Sequence, residues 1–307
     1  MLIALGIFAA IHWQPDQGVD VLADRWAEAP SRFLRVQGMN VHVRDEGLGD
    51  TGTTIALIHG TASSLHTWDG WAEALRENHR VVRFDLPGFG LTGPHPEHDY
   101  SIDAYVEFVI ASLDELLADR VVLVGNSLGG HIAWATAVKY PDRVERLVLV
   151  DSSGYPLEST SVPIGFRIAR TPILRDLMKD VLPRFVVRDS VENVFGDPAL
   201  VTDELVDRYY DLSTREGNRE ALGKRLEHFD STAFLDRISE IQQPTLILWG
   251  KQDRLIPYSS AARFATDIEN STLTAWGHLG HVPHEEAPEE TVRALLRFLD
   301  QTAEMAE

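Results

Sequence analysis

The sequence predicts an α/β fold, a mostly parallel, doubly wound sheet with an inserted helical cap. Three observations point there. Short β-branched runs alternate with helical patterns along most of the 307 residues, the alternation stops between Tyr155 and about Ile238, and it resumes at Thr245. Strands alternating with helices imply βαβ units around a parallel sheet. The length suits one large domain or a domain with an insertion. Apolar residues make up 44% and charged residues 24%, which excludes wholesale disorder. Lys and Arg number 28 against 47 Asp and Glu, a net charge of −19. Such a chain repels phosphate backbones, so no nucleic-acid partner is expected. The absence of cysteine removes disulfides, thiolate nucleophiles and Cys-ligated zinc.

Residues 1–30 read as an N-terminal apolar segment and linker. Leu2–Ile11 (LIALGIFAAI) is uninterrupted apolar and small, about half of the ~20 residues needed to cross a bilayer. No basic stretch precedes it and no A-x-A site follows, which argues against a complete signal peptide. Two readings stand. One is a short helix packed on the domain or half-dipped in an interface. The other is the stub of a membrane anchor, with Trp13 as an interfacial aromatic. The expected location is cytoplasmic, with peripheral membrane contact through this segment as the accompanying partner expectation.

The core is expected over 31–154 and 239–307. Phe33–Arg44 alternates around Gly38 and reads as a hairpin. Thr53–His59, Arg80–Asp85, Val121–Val124, Leu147–Val150 and Thr245–Trp249 are near-continuous apolar runs, which suit strands buried on both faces. Helical patterns occupy Ile102–Leu117, Leu128–Tyr140 and Tyr258–Ala265. The cap, 155–238, reads as helices broken by Pro156, Pro163, Pro172, Pro183 and Pro198. Within it Ile173, Leu174, Leu177, Met178, Val181 and Leu182 share one helical face.

The strongest chemical signal is Val121–Gly130, VVLVGNSLGG. A buried strand runs into Gly-Asn-Ser-Leu-Gly and a helix starts at once, the context in which a Gly-x-Ser-x-Gly turn exposes a nucleophile. Ser127 then stands at the carboxyl end of the sheet, over a helix N-terminus that favours developing negative charge. A serine hydroxyl is a weak nucleophile and needs a base and an orienting acid. The expected chain order is Ser, then Asp or Glu, then His. Asp253 in LILWGKQDRLIP and His281 in AWGHLGHVPHEEAP satisfy it. Asp151, ending the run Leu147–Val150, is a second candidate acid, with a plainer role bonding the turn amides of Ser152 and Ser153. His278, His281 and His284 are spaced by three, but Gly277, Gly280 and Pro283 break the helix that a three-histidine metal site would need. No metal is therefore expected. Oxyanion donors are expected from the backbone N–H groups of Leu128, after the nucleophile, and Thr61, in the loop after an early strand. His59 reads as a ring tied into that loop rather than a catalytic group.

With those residues in place the chain resembles the α/β-hydrolase superfamily, of the capped serine esterase and lipase type. The resemblance runs from Phe33 to about Leu299. It rests on His59–Thr61 (HGT), Asp85–Gly90 (DLPGFG), Gly125–Gly130 (GNSLGG), Leu248–Asp253 (LWGKQD) and Gly280–Pro288 (GHVPHEEAP). It implies Ser127 as nucleophile, Asp253 as acid, His281 as base, and no cofactor. It also implies that Gly88–Gly93, which spells the dinucleotide fingerprint G-x-G-x-x-G, is a loop beside the site. Pro94 and Pro96 already deny that fingerprint its helix.

The first reading is hydrolysis of a small-molecule carboxylic ester through an acyl-enzyme on Ser127. The alternative is a C–C bond hydrolase of the meta-cleavage type, which shares Asn126 before the nucleophile but usually carries Trp after the histidine, where this chain has Val282. A non-catalytic hydrolase-like receptor is a third reading. The segment Ser161–Arg188 carries Arg167, Arg170, Arg175, Lys179, Arg184 and Arg188 against Asp176 and Asp180. It reads as a solvated face with local ion pairs ahead of an anionic-lipid surface. Trp68, Trp71 and Trp134 are candidates for an acyl pocket, with core packing as the commoner fate.

Overall fold

A computed structural model describes residues 2–47, 53–156, 158–171, 173–175, 180–227 and 230–304. Eight strands form one sheet in the order β1-β2-β4-β3-β5-β6-β7-β8. They are β1 (Arg32–Val36), β2 (Met39–Glu46), β3 (Thr54–Ile58), β4 (Arg80–Phe84), β5 (Val121–Asn126), β6 (Val144–Val150), β7 (Thr245–Gly250) and β8 (Ser271–Trp276). The first two pair antiparallel and β2 meets β4 antiparallel; every other neighbour is parallel. The β1–β2 turn places Gln37 and Gly38 both at positive φ, 46° and 80°, as a tight hairpin requires.

Parallel strands here carry apolar side chains on both faces. Ile55, Leu57, Val122, Val124, Val148, Val150, Leu246 and Leu248 pack on one side, against α3 (Asp69–Leu75) and α11 (Pro288–Glu304). The intervening Ala56, Ile58, Leu123, Leu147, Leu149, Ile247 and Trp249 pack on the other, against α4 (Ile102–Glu115), α5 (Leu128–Lys139) and α10 (Ser259–Asp267). The strand period of two thus gives one sheet two cores. The chain goes from β3 outward to β4, then returns to place β5 on the other side of β3. That reversal opens a crevice at the carboxyl ends of β3 and β5, and Ile58 lies opposite Gly125 there.

Between β6 and β7 lie α6 (Ile164–Ala169), α7 (Arg184–Val194), α8 (Asp203–Ser213) and α9 (Asn218–Glu227). The helical face expected over 173–182 ends early. Ile173 and Leu174 are helical and exposed, whereas Pro172, Asp176, Leu177, Met178 and Lys179 lie outside the described residues. Val181 is extended and bridges Trp13, and the Leu182 N–H donates to the His12 carbonyl. Backbone pairing with the N-terminal chain overrides the helical spacing there. The N-terminal helices are α1 (Leu2–Ile11) and α2 (Val19–Trp26). Ile7, Phe8, Ile11 and Trp13 are exposed, while residues 13–17 run across the cap and Asp16 pairs with Arg219. No described helix is long and apolar enough to cross a membrane. The cap arginines are largely consumed by cap carboxylates: Arg175 pairs with Glu227, Arg184 with Asp203 and Asp207, and Arg188 with Asp203 and Glu192.

One buried carboxylate organises the loops above β4. Asp85 is fully buried, accepts from the Leu65 and Leu91 N–H groups at 2.7 and 2.8 Å, and bonds His42 Nδ1 at 2.8 Å. It thereby fixes the loop after β3, and the Gly88–Gly93 loop closes on itself through Gly88 N–H and the Gly93 carbonyl. Burial alone would raise the Asp85 pKa; the bonded His42, with His59 and His66 nearby, overrides it and holds the carboxyl well below the usual range. A depressed folded pKa gives stability that is complete above the unfolded value of about 4 and is lost as pH falls through the folded value. Asp85→Asn should therefore lower unfolding free energy at pH 7 by about 3 kcal/mol. Denaturant melts should show the gap from wild type intact at pH 5.5 and narrowing only below about pH 4.

Candidate active site

The turn from β5 into α5 places Ser127 at φ 56°, ψ −114°, a strained conformation for a non-glycine residue. Its neighbours leave no room for side chains. A Cβ on Gly125 would sit 2.0 Å from the Gly129 carbonyl oxygen, and one on Gly129 would sit 2.3 Å from the Ile58 oxygen. Backbone therefore packs directly on backbone, and the serine is forced out at the end of the sheet. Ser127 and His281 line the same cavity, of about 570 Å³, together with Gly60, Thr61, Ser63, Tyr209 and Val282. That volume is within the range of small-ligand sites. Thr61 and Leu128 also line a second, smaller cavity together with Ser127.

His281 Nδ1–H donates to Asp253 Oδ2 at 2.7 Å, which leaves Nε2 as the basic atom. Asp253 is itself held by the Leu255 and Ile256 N–H groups, which donate to Oδ1 at 2.7 and 2.9 Å. The structure therefore brings together Ser127, His281 and Asp253 from three separate strand ends. Asp151, the other candidate acid, makes no bond to His281. Its Oδ1 accepts from the Gly250 N–H at 3.0 Å, not from Ser152 or Ser153 as the turn reading expects. The reason is direction: at φ 43° the residue turns its carboxylate toward β7.

The other histidines separate. His278 is exposed at 64% and faces Glu290, whereas His284 is buried, stacked on Trp68 with centroids 4.0 Å apart and bonded through Nε2 to Thr67 Oγ1. They do not converge on a metal. Asp151, Asp253 and His281 have ligand-capable atoms within 4.8 Å of one another, but the His281 and Asp253 atoms are already bonded together. His59 is buried. Its Nδ1–H donates to the Gly60 carbonyl and its Nε2 accepts from the Leu86 N–H, a neutral ring lowered in pKa by burial. Trp68, Trp71 and Trp134 are fully buried core residues, and none lines either cavity.

A family model for the alpha/beta hydrolase fold matches residues 53–288. The chain belongs to the alpha/beta-hydrolase family. Among its relatives is a 2-hydroxy-6-oxo-2,4-heptadienoate hydrolase of Pseudomonas putida, 33% identical over 279 residues, covering 87% of this chain and 95% of that one. A 2-hydroxymuconate semialdehyde hydrolase of Pseudomonas sp. strain CF600 is 30% identical, with 81% and 87% covered. The solved structure of a meta-cleavage product hydrolase from Pseudomonas fluorescens superposes with a TM-score of 0.76 at 28% identity, covering 88% of this alpha/beta hydrolase and 98% of that chain.

Three features of this alpha/beta hydrolase's site escape sequence reasoning. Asn126 Nδ2 donates to the Val150 and His281 carbonyls at 3.1 and 3.0 Å, tying the elbow to the backbone of His281. Glu286 Oε1 and Oε2 accept from the Gly280 and Gly196 N–H groups, fixing the His281 loop to the cap. Glu285 pairs with Arg208 and accepts from Tyr209 OH at 2.9 Å and Thr67 Oγ1 at 3.1 Å, which points the α8 face at the cavity. In sequence their signals are Asn126 in the Gly-Asn-Ser turn and the spacing of Glu285 and Glu286 after His281.

The single bond from Asp253 holds the imidazole tautomer and would stabilise the imidazolium. Asp253→Asn should lower the second-order rate of fluorophosphonate labelling at Ser127 by on the order of 10³–10⁴-fold. Peptide mapping of the label, with circular dichroism as a control for folding, checks both the magnitude and the site.

Proposed function

We propose that this alpha/beta hydrolase is a serine hydrolase of the meta-cleavage type, which breaks a C–C bond in a 2-hydroxy-6-oxo-dienoate. The relatives support this reading over ester hydrolysis, and the order of the two sequence readings is thereby reversed. The observation that carries it is the asymmetry of the space around Ser127. The larger cavity exposes mainly apolar surface, with Ile168, Val186, Val187, Val191 and Val282 in its wall, and its charged residues carry both signs, Asp16 and Glu220 beside Arg175 and Arg219. The smaller, about 440 Å³, mixes apolar residues such as Leu128, Leu226 and Ile256 with Ser153, Ser159 and Ser231, and Arg170 and Arg225 are its charged residues, both cationic. Arg225 is 4% exposed, and burial lowers its pKa to about 10, so it stays charged at neutral pH.

That asymmetry suits a leaving group that departs as carbon. In this reading the dienoate reaches the enzyme as its keto tautomer, and Ser127 adds to the C6 carbonyl as His281 Nε2 takes the hydroxyl proton. The Thr61 and Leu128 N–H groups hold the oxyanion. Collapse breaks C5–C6 and leaves the electron pair on C5, delocalised toward the 2-oxo acid. A cationic pocket stabilises that charge and the carboxylate beside it. His281 returns the proton to C5, and water, activated by the same ring, releases the acyl group from Ser127. The C6 substituent occupies the apolar cavity. Ester hydrolysis by the same triad is the second reading, favoured by one observation: Val282 stands where the meta-cleavage pattern has Trp.

Turnover of 2-hydroxy-6-oxo-2,4-heptadienoate, followed by loss of its visible absorbance, should exceed that of p-nitrophenyl esters in kcat/KM by tenfold or more, on the order of the 1.4 kcal/mol that one charge-assisted contact supplies. Hydrolysis of the esters with the dienoate untouched would establish the ester reading instead. Ser127→Ala should abolish both. Arg225→Gln should raise KM for the dienoate by about tenfold or more and shift KM for a neutral ester by less than about threefold.

A further inference from the structure

We infer that Asp151 is a neutral, protonated carboxylic acid whose O–H donates to the Asp253 carboxylate, so that it positions the acid that positions His281. The inference rests on Ser127, His281 and Asp253 acting as the triad.

The geometry leaves few alternatives. Asp151 follows β6 directly and is fully buried, with its backbone at φ 43°. Its N–H is committed to the Leu248 carbonyl and its Oδ1 to the Gly250 N–H. Oδ2 is buried and meets no N–H or hydroxyl donor among the described residues. The Asp151 carboxyl instead lies beside another carboxylate: Asp151, Asp253 and His281 each present one oxygen or nitrogen atom within 4.8 Å of one another. Two ionised carboxylates at that distance repel, and an ionised oxygen without a donor in a dry site is costly. One proton resolves both problems, because it turns the orphaned oxygen into a donor and the repulsion into a hydrogen bond.

The proton belongs on Asp151 rather than on Asp253. Asp253 Oδ1 accepts two backbone N–H groups and Oδ2 accepts His281 Nδ1–H. Three donors favour its ionised form, whereas Asp151 has one. The charged or titratable groups facing Asp151 are Asp253 and Glu286, with His281 beyond Asp253. Burial first, then the Asp253 charge, push the Asp151 pKa well upward, and the Gly250 N–H opposes this more weakly. Two carboxyls that share a site, one neutral and one charged, take different roles. Asp151 touches no substrate. Its work is to fix the plane of the Asp253 carboxylate, and hence the aim of the imidazole, while adding no second negative charge beside it. The proton stays on Asp151 throughout.

Fluorophosphonate labelling of Ser127 tests this, because it needs only the triad and not the natural substrate. The variants are Asp151→Asn, whose amide can still donate, and Asp151→Ala, which cannot. The second-order labelling rate is measured from pH 4.5 to 9. Expected for Asp151→Asn is a rate within about threefold of wild type, with the acid limb of the profile unmoved. Expected for Asp151→Ala is a loss of tenfold or more, the cost of one charge-assisted bond to a carboxylate. If Asp151 were instead ionised, Asp151→Asn would remove a negative charge about 5 Å from His281. The acid limb would then move down by about one pH unit or more, which overturns the inference. Equal rates for the Ala and Asn variants also overturn it. Should Asp151→Ala fail to fold, the acid limb of Asp151→Asn alone decides. Wild-type protein that fails to label at Ser127 would overturn the triad itself, and this inference with it.

Discussion

The contact between Gly125 and the Gly129 carbonyl is the constraint on which the rest depends. It exists because β5 must turn into α5 within a single residue, with a glycine two positions away on either side. Ser127 absorbs that turn at positive φ. Strain of this kind costs on the order of 1–3 kcal/mol and persists only where the surroundings over-determine it. Here the surroundings are a block of six parallel strands, buried on both faces except at the β8 edge, and a helix with eleven buried residues. The sheet's two cores are thus what hold Ser127 in an otherwise unfavourable backbone conformation.

Around that point buried and half-buried carboxylates do the positioning, each by accepting backbone N–H groups. Asp85 gathers Leu65 and Leu91, Asp253 gathers Leu255 and Ile256, and Glu286 gathers Gly196 and Gly280. A carboxylate with several donors is satisfied without a cation and can be kept dry. Asp151 is the exception, with a single backbone donor and a second carboxyl as neighbour. The pattern explains how an acidic chain concentrates negative charge beneath its active site without forcing it apart.

The cap is held differently. Its arginines pair with its own carboxylates near the surface, where such pairs contribute little each. Its firm attachments are the Glu285 cluster, the Glu286 bonds to Gly196, and the extended N-terminal residues 13–17, which bond to the chain at 180–182 and at 214–216. The N-terminal segment, which in sequence suggests only a helix or an anchor, is therefore part of the wall near the cavity, where Asp16 appears among the lining residues.

The sequence by itself determined the parallel sheet, the elbow and the order Ser127, Asp253, His281, because each is local. A buried parallel strand is a continuous apolar run, and a strained turn needs its glycines next to its serine. Other features were decided only by tertiary structure. Whether Asp151 or Asp253 meets His281 depends on which way two strand ends point, and both residues look alike in sequence. Val181 leaves its helical pattern because Trp13, 168 residues earlier in number, supplies backbone partners. The two unlike cavities beside Ser127 are formed by side chains from the cap and the core together, Arg225 and Ser153 among them. No periodicity records such meetings, since they depend on how elements far apart in the chain pack rather than on their own local preferences.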